Sequence, residues 1–179
     1  MTNGRAERPG VTTMKLNSET LARLPARVLR PVYDRRRVRQ GIVHIGVGGF
    51  HRAHQAIYTE QLLQQGQAME WGICGAGLRP EDRAMREALV SQDYLYTLYE
   101  LGDSADTRIQ VVGAIGDFLL ADEDRPGLIA RLASPQTRIV SLTITEGGYC
   151  TDDDTGEFLA DLPAIRHDLA HPEIGRAHV

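Results

Sequence analysis

Gly41-Ile-Val-His-Ile-Gly-Val-Gly-Gly-Phe-His-Arg-Ala-His54 packs three signals into one short stretch. Ile42 to Ile45 is a short apolar run. Gly46, Gly48 and Gly49 make a turn. A helical pattern follows, with Ala53, Ala56, Ile57, Leu62 and Leu63 as its apolar positions. Strand, glycine turn and helix in that order form the βα unit that holds a dinucleotide. The first amides of a helix have no partner inside it and point beyond its end. Aligned peptide dipoles add positive character there, which suits a diphosphate. Glycine allows the tight turn and removes the Cβ atoms that would keep phosphates away. The same glycines also suit a plain tight turn in any α/β protein, and the third glycine of G-x-G-x-x-G is replaced by His51.

The flanking sequence extends the unit. A helix is expected over Arg52 to Gln65, closed by Gly66. Trp71-Gly-Ile-Cys-Gly-Ala-Gly-Leu78 reads as a second strand, short and apolar enough to be buried on both faces of a parallel sheet. Leu78-Arg-Pro-Glu-Asp-Arg83 follows it. Glu81 and Asp82 are candidates to accept hydrogen bonds from an adenosine ribose, and equally fit the first turn of a helix continuing through Ala84, Met85, Ala88 and Leu89. As ribose ligands they would repel a 2′-phosphate and favour NAD, a preference that Arg79 and Arg83 blur.

Upstream, residues 1–13 are polar and expected to be a disordered extension. Residues 14–40 are expected to form a short helix, capped by Asn17 or Ser18, and a connector between Pro25 and Pro31. Arg35, Arg36, Arg37 and Arg39 form a local basic cluster, read as a solvated segment; the net charge is −4, and no nucleic-acid partner is expected.

Downstream, Asp93 to Glu100 and Arg108 to Val112 read as an antiparallel hairpin around Gly102–Asp106, inserted into or appended to the parallel sheet. Tyr94, Tyr96 and Thr97 are expected to hold polar tips near a surface. A helix is expected from Arg125 or Pro126 to Ala133. Arg138-Ile-Val-Ser-Leu-Thr-Ile-Thr145 is another apolar strand, running into Glu146-Gly-Gly-Tyr149. Strand ends of this kind carry ligands in open α/β sheets, so Thr143, Thr145, Glu146 and Gly147 form a second candidate cluster. Thr151 to Gly156 reads as a solvated acidic loop, and no metal is expected. Phe158 to His171 is expected to contain a last helix, with Leu162, Ile165 and Leu169 periodic. Cys74 and Cys150 lack C-x-x-C spacing, which suits buried thiols in a reduced, cytoplasmic protein. No apolar run reaches the length of a membrane span.

From Met14 to Pro172 the chain resembles the polyol-specific long-chain dehydrogenases, and within them the mannitol 2-dehydrogenases. The segments that carry this are Gly41–Gln55, Trp71–Arg83, Gln92–Gly102, Ile139–Cys150, Gly156–Phe158 and His167–Pro172. That family's fingerprint is G-x-G-x-x-x-R, matched by Gly46, Gly48 and Arg52, so His51 in place of a third glycine is no departure. The resemblance implies an α/β, Rossmann-type dinucleotide-binding domain over residues 41–172 with a mostly parallel sheet. It implies NAD as cofactor, no metal, and interconversion of D-mannitol and D-fructose; relatives act on fructuronate, tagaturonate or other polyols. The cofactor residues it implies are Ile45, Gly46, Val47, Gly48, Gly49, Phe50, His51 and Arg52 around the diphosphate, Arg79, Glu81 and Asp82 near the adenosine, and Thr145 and Glu146 near the nicotinamide.

The family's catalytic lysine lies in a later lysine–asparagine–histidine motif. Here Lys15, Asn3 and Asn17 are the only lysine and asparagines, all before Gly41, and none matches it. The chain is therefore expected to be a truncated, N-terminal portion without the catalytic domain, in which Glu146 is at most an auxiliary group. A non-catalytic dinucleotide-binding fragment is the alternative. Glu173 to Val179 leaves the family pattern and back-translates to a sequencing-adapter prefix, so it is expected to be a non-native tail.

Overall fold

The computed structural model describes residues 14–101, 107–144 and 146–171. The expected extension over 1–13, the hairpin turn at 102–106, Thr145 and the tail over 173–179 lie outside the described residues, and for Glu146 and Gly147 only the backbone is described.

A four-stranded parallel sheet forms the centre. Its strands are β2 (Gln40–Ile45), β3 (Gly72–Gly77), β6 (Ile115–Leu120) and β7 (Ile139–Leu142), in the spatial order β6-β3-β2-β7. The apolar runs alternate between two faces. Ile42, Ile73, Ile115 and Phe118 join one core with Ala56, Ile57, Leu63 and Leu89. Val43, Cys74 and Ala76 join another with Leu128. The first face is covered by α2 (Gln55–Gln64) and α3 (Asp82–Val90), the second by α4 (Arg125–Leu132). Burial of both faces is what uninterrupted apolar strands require.

The hairpin is antiparallel as expected, from β4 (Tyr96–Glu100) and β5 (Arg108–Val112). It does not extend the parallel sheet. β5 instead pairs in parallel with the short β1 (Val28–Leu29), making a separate three-stranded sheet. The parallel edge it might have taken belongs to β6, a strand that Gly116 and Asp117 hide by interrupting the apolar pattern. Tyr96 is also turned inward: it is buried, and its hydroxyl donates to the Arg52 carbonyl at 2.6 Å.

Three other elements differ from expectation. The long helix begins earlier and is broken, as α1 (Gly49–Ala53) and α2 meet at His54, whose φ and ψ are −126° and −84°. The N-terminal helix is reduced to a single 3-10 turn at Leu21–Arg23, with the Asn17 side chain accepting from the Thr20 amide. The Arg35–Arg37 triplet is likewise a 3-10 turn, capped by Asp34. The last helix, α5 (Pro163–Ala170), forms, but Leu169 is exposed. So are Ile139, Val140, Leu142 and Ile144 on and beyond β7, between 42% and 49%, so the open edge of the sheet is apolar.

A buried polar group fixes the connector. Glu60 on α2 accepts from the Tyr33 hydroxyl at 2.7 Å, the Gly113 amide at 2.8 Å and the Gln64 amide at 3.0 Å. Burial raises its pKa despite those donors.

Candidate functional site

β2, β3 and β7 end at the same edge of the sheet, and a cavity of about 530 Å³ opens there. Gly46 leaves β2 with φ +83°, a conformation that side chains other than glycine resist. Its amide donates to the Ala76 carbonyl at 2.9 Å, and its carbonyl accepts from the Gly48 amide at 2.8 Å. α1 then starts at Gly49, with Gly48 as its extended N-cap. The amides of Gly49, Phe50 and His51 find no acceptor among the described residues. A Cβ on Gly49 would meet nothing within 4 Å, and one on Gly48 only the Gly46 carbonyl oxygen at 3.9 Å. The loop therefore shows bare backbone donors to the cavity.

Ten of the thirteen residues expected to touch a cofactor line this one cavity: Ile45 to His51 in sequence, then Arg79, Glu81 and Asp82. Arg52 does not. Its guanidinium turns back to the Gly48 carbonyl at 3.2 Å and lies over the Tyr96 ring, so it supports the loop from behind. Thr143, from the second candidate cluster, reaches the cavity from β7, whereas Thr145 and the Glu146 side chain fall outside the description. Leu78 and Met85 also line the cavity and were not anticipated. Met85 was visible as an apolar position of α3, but nothing in its spacing pointed to the cavity.

Glu81 and Asp82 line the cavity and also begin α3. Glu81 is the N-cap of α3 and Asp82 stands in its first turn. Asp82 accepts from the Arg79 amide at 3.0 Å, and Glu81 lies 3.6 Å from the Arg79 guanidinium. Arg83 is drawn off to Asp122 and Glu123, away from the lining. Asp82 comes this close to β3 because Gly77 has no side chain: a Cβ there would stand 2.5 Å from that of Asp82.

A pair of histidines lies beneath the loop. The rings of His44 and His51 stack 3.6 Å apart at an angle of 9°. His44 Nδ1 meets Ser141 Oγ at 2.9 Å, its register partner on β7, and Nε2 meets Thr143 Oγ1 at 3.4 Å. Ser141 donates onward to Gln55 at 3.3 Å. A neutral ring protonated on Nδ1 satisfies this whole chain. His51 is 2% exposed, and neither of its ring nitrogens has a hydrogen-bond partner. Burial, then the neighbouring His44 and Arg52, push its pKa down to about 3; the Gln55 amide tempers the shift without bonding geometry. Burial also lowers His44. Both rings are thus neutral near pH 7 and serve as a packed floor.

Cys74 is buried in β3 with its thiol pushed up to about 12 by burial, while Cys150 is only partly buried, short of the expected pair of buried thiols. Asp152 accepts from the Asp154 and Thr155 amides and so shapes a turn. Among the described residues no three His, Cys, Asp or Glu side chains gather to hold a metal, and no helix is long and apolar enough to cross a membrane.

The family model for the mannitol dehydrogenase Rossmann domain matches residues 40–173. The chain belongs to that family. It is 47% identical over 159 residues to the mannitol 2-dehydrogenase of Pyricularia oryzae, covering 87% of this chain and 32% of that one. The counterpart from Phaeosphaeria nodorum is 49% identical over 158 residues, covering 88% and 28%. Among solved structures it is similar to Pseudomonas fluorescens mannitol 2-dehydrogenase in ternary complex with NAD and D-mannitol. That match has a TM-score of 0.78 and 60% identity, over 89% of this chain and 32% of the other. A substrate-free D-sorbitol dehydrogenase gives a TM-score of 0.74 and 41% identity, over 89% and 33%. The chain spans about a third of the length of these relatives.

Proposed function

We propose that this chain is the NAD-binding portion of an oxidoreductase that interconverts D-mannitol and D-fructose, with residues 41–172 as its dinucleotide domain. The observation that carries this is the convergence of unpartnered amides and two carboxylates on one cavity at the carboxyl edge of a parallel sheet. The fit is chemical. Gly49, Phe50 and His51 offer N–H groups to a diphosphate, with no Cβ at Gly48 or Gly49 to hold it off. Glu81 and Asp82 take the adenosine end, where their charge disfavours a 2′-phosphate. Thr143 stands toward the nicotinamide end, and Thr145 and Glu146 are assigned beside it on the family resemblance. When bound, NAD supplies the hydride acceptor for the C2 carbon of the polyol. The residues of this chain bind and orient it and keep water from the loop floor. The general acid/base belongs to the lysine motif that the chain does not match. We place the protein in the cytoplasm, with a small polyol or ketose as its partner and neither nucleic acid nor membrane.

Calorimetry with NAD and absorbance of NADH in the presence of fructose test this together. Binding without turnover is expected of this chain. Absence of NAD binding at millimolar concentration would overturn the reading, and oxidation of mannitol by the chain alone would overturn the assignment of the acid/base to a motif that the chain does not match.

A further inference from the structure

The basic cluster near residue 37 takes on a different meaning once folded. Arg35 leaves it, turning inward to the carbonyls of Gly113 and Asp93 at 3.3 and 2.7 Å. Arg138, about a hundred residues later in the chain, replaces it. Arg36, Arg37, Arg39 and Arg138, with Met69 and Glu70, line a cavity of about 640 Å³. These residues stand in the loops that enter β2, β3 and β7, at the amino edge of the sheet. The dinucleotide cavity is at the other edge, one six-residue strand away, or about 20 Å at ~3.3 Å per residue.

The frame is fixed by backbone and stacking. The Arg39 amide donates to the Met69 carbonyl at 2.8 Å, the Gly72 amide to the Arg39 carbonyl at 2.9 Å, and the Arg138 amide to the Gly41 carbonyl at 2.8 Å. Asp34 caps the turn that sets Arg36 and Arg37, and the Arg138 guanidinium lies over the Trp71 ring at 5.2 Å. Of the four arginines, only Arg36 has a carboxylate within ion-pair distance among the described residues, Asp34 at 2.9 Å; Arg37, Arg39 and Arg138 have none there. Against Asp34 and Glu70, two positive charges remain uncompensated in a concave site. The whole chain carries a charge of −4, so this concentration of guanidinium groups runs against the background.

We infer that Arg37, Arg39 and Arg138, with Arg36 at the rim, form a binding site for a small, multiply charged oxyanion, separate from the dinucleotide cavity. The planar forks of arginine suit phosphate or carboxylate oxygens in pairs. The cavity falls in the size range of small-molecule sites. Two unbalanced charges match a ligand with at least two negative ones. Phosphate and carboxylate groups share this chemistry, and the test separates them.

Trp71 is the only tryptophan, so its fluorescence reports on this site alone. The purified chain is titrated in low salt with inorganic pyrophosphate, with citrate, and with acetate as a monovalent control, following Trp71 fluorescence, which does not see anions bound at the glycine loop. Saturable binding of pyrophosphate or citrate, at least tenfold tighter than acetate, is expected. Arg37→Gln with Arg39→Gln should weaken it about tenfold or more. Gly48→Glu, which acts on the opposite edge, should leave it unchanged, so this outcome stands or falls apart from NAD binding. Three results would overturn the inference: no saturable signal, binding kept by the double arginine variant but lost in Gly48→Glu, or a single-stranded oligonucleotide that binds more tightly than either small anion. Both variants sit at exposed or open positions, and their circular dichroism and melting confirm that they fold.

Discussion

Gly48→Glu isolates the glycine loop. Gly48 has φ −89°, which any residue adopts, and a Cβ there meets only one oxygen at 3.9 Å, so the variant should fold. The cavity that Gly48 lines gives its carboxylate room to extend beside the loop. With a phosphate charge about 5 Å away and an effective dielectric near 20, the repulsion is about 3 kcal/mol. That corresponds to about a hundredfold loss of affinity for NAD. Gly48→Gln has nearly the same volume without the charge, so the difference between the two measures electrostatics, while Gln against the parent measures crowding. Calorimetry gives the affinities, and melting in the absence of ligand shows that the fold is intact. If the Glu variant holds NAD within threefold of the parent while melting normally, the diphosphate does not sit at this loop.

Three further perturbations address the surroundings of the loop. His51 has a folded pKa far below its unfolded value, so the unfolded chain binds the extra proton between about pH 6.5 and 3. Its contribution to stability is therefore full above that window and is lost as pH falls through it, by up to ~1.4 kcal/mol per pH unit. His51→Phe keeps an aromatic ring against His44 and should flatten the acid limb of a denaturation–pH curve; an unchanged slope contradicts the assignment. Glu60→Gln turns an amide donor toward groups that already donate, and should cost about 1–3 kcal/mol in urea denaturation at pH 7. A loss below a few tenths would show that the network is not what fixes the connector. Glu81→Lys should narrow the preference for NAD over NADP in paired titrations, because it removes a negative charge and adds a positive one where a 2′-phosphate would lie. An unaltered ratio would place the ribose elsewhere.

Local signals were legible in the sequence where one segment settles its own state. Gly46 at φ +83° and Gly66 at φ +70° stand where the turn and the helix end were expected. The runs beginning at Ile42, Gly72 and Ile139 became the parallel strands that carry the cavity. What stayed hidden depends on partners far along the chain. β6 is a strand because β3 and α4 complete it, despite Gly116 and Asp117. β1 has only two residues, and β5 alone defines it. The hairpin's sheet could not be assigned while both of those were unseen. The stack of His44 on His51, and the turn of Arg52 away from the cavity, follow from side-chain directions that a motif does not encode. Arg138 joins the basic cavity only through the parallel register of β7 on β2.

The central claim is that the amides heading α1 grip a diphosphate, and an amide-resolved NMR titration of the chain with NAD tests it most directly. The account predicts that the largest shifts fall on Gly49, Phe50 and His51, with Gly48 close behind, and that in the Gly48→Glu variant they need about a hundredfold more NAD to develop. Shifts centred elsewhere, with these amides unmoved at saturation, would contradict it.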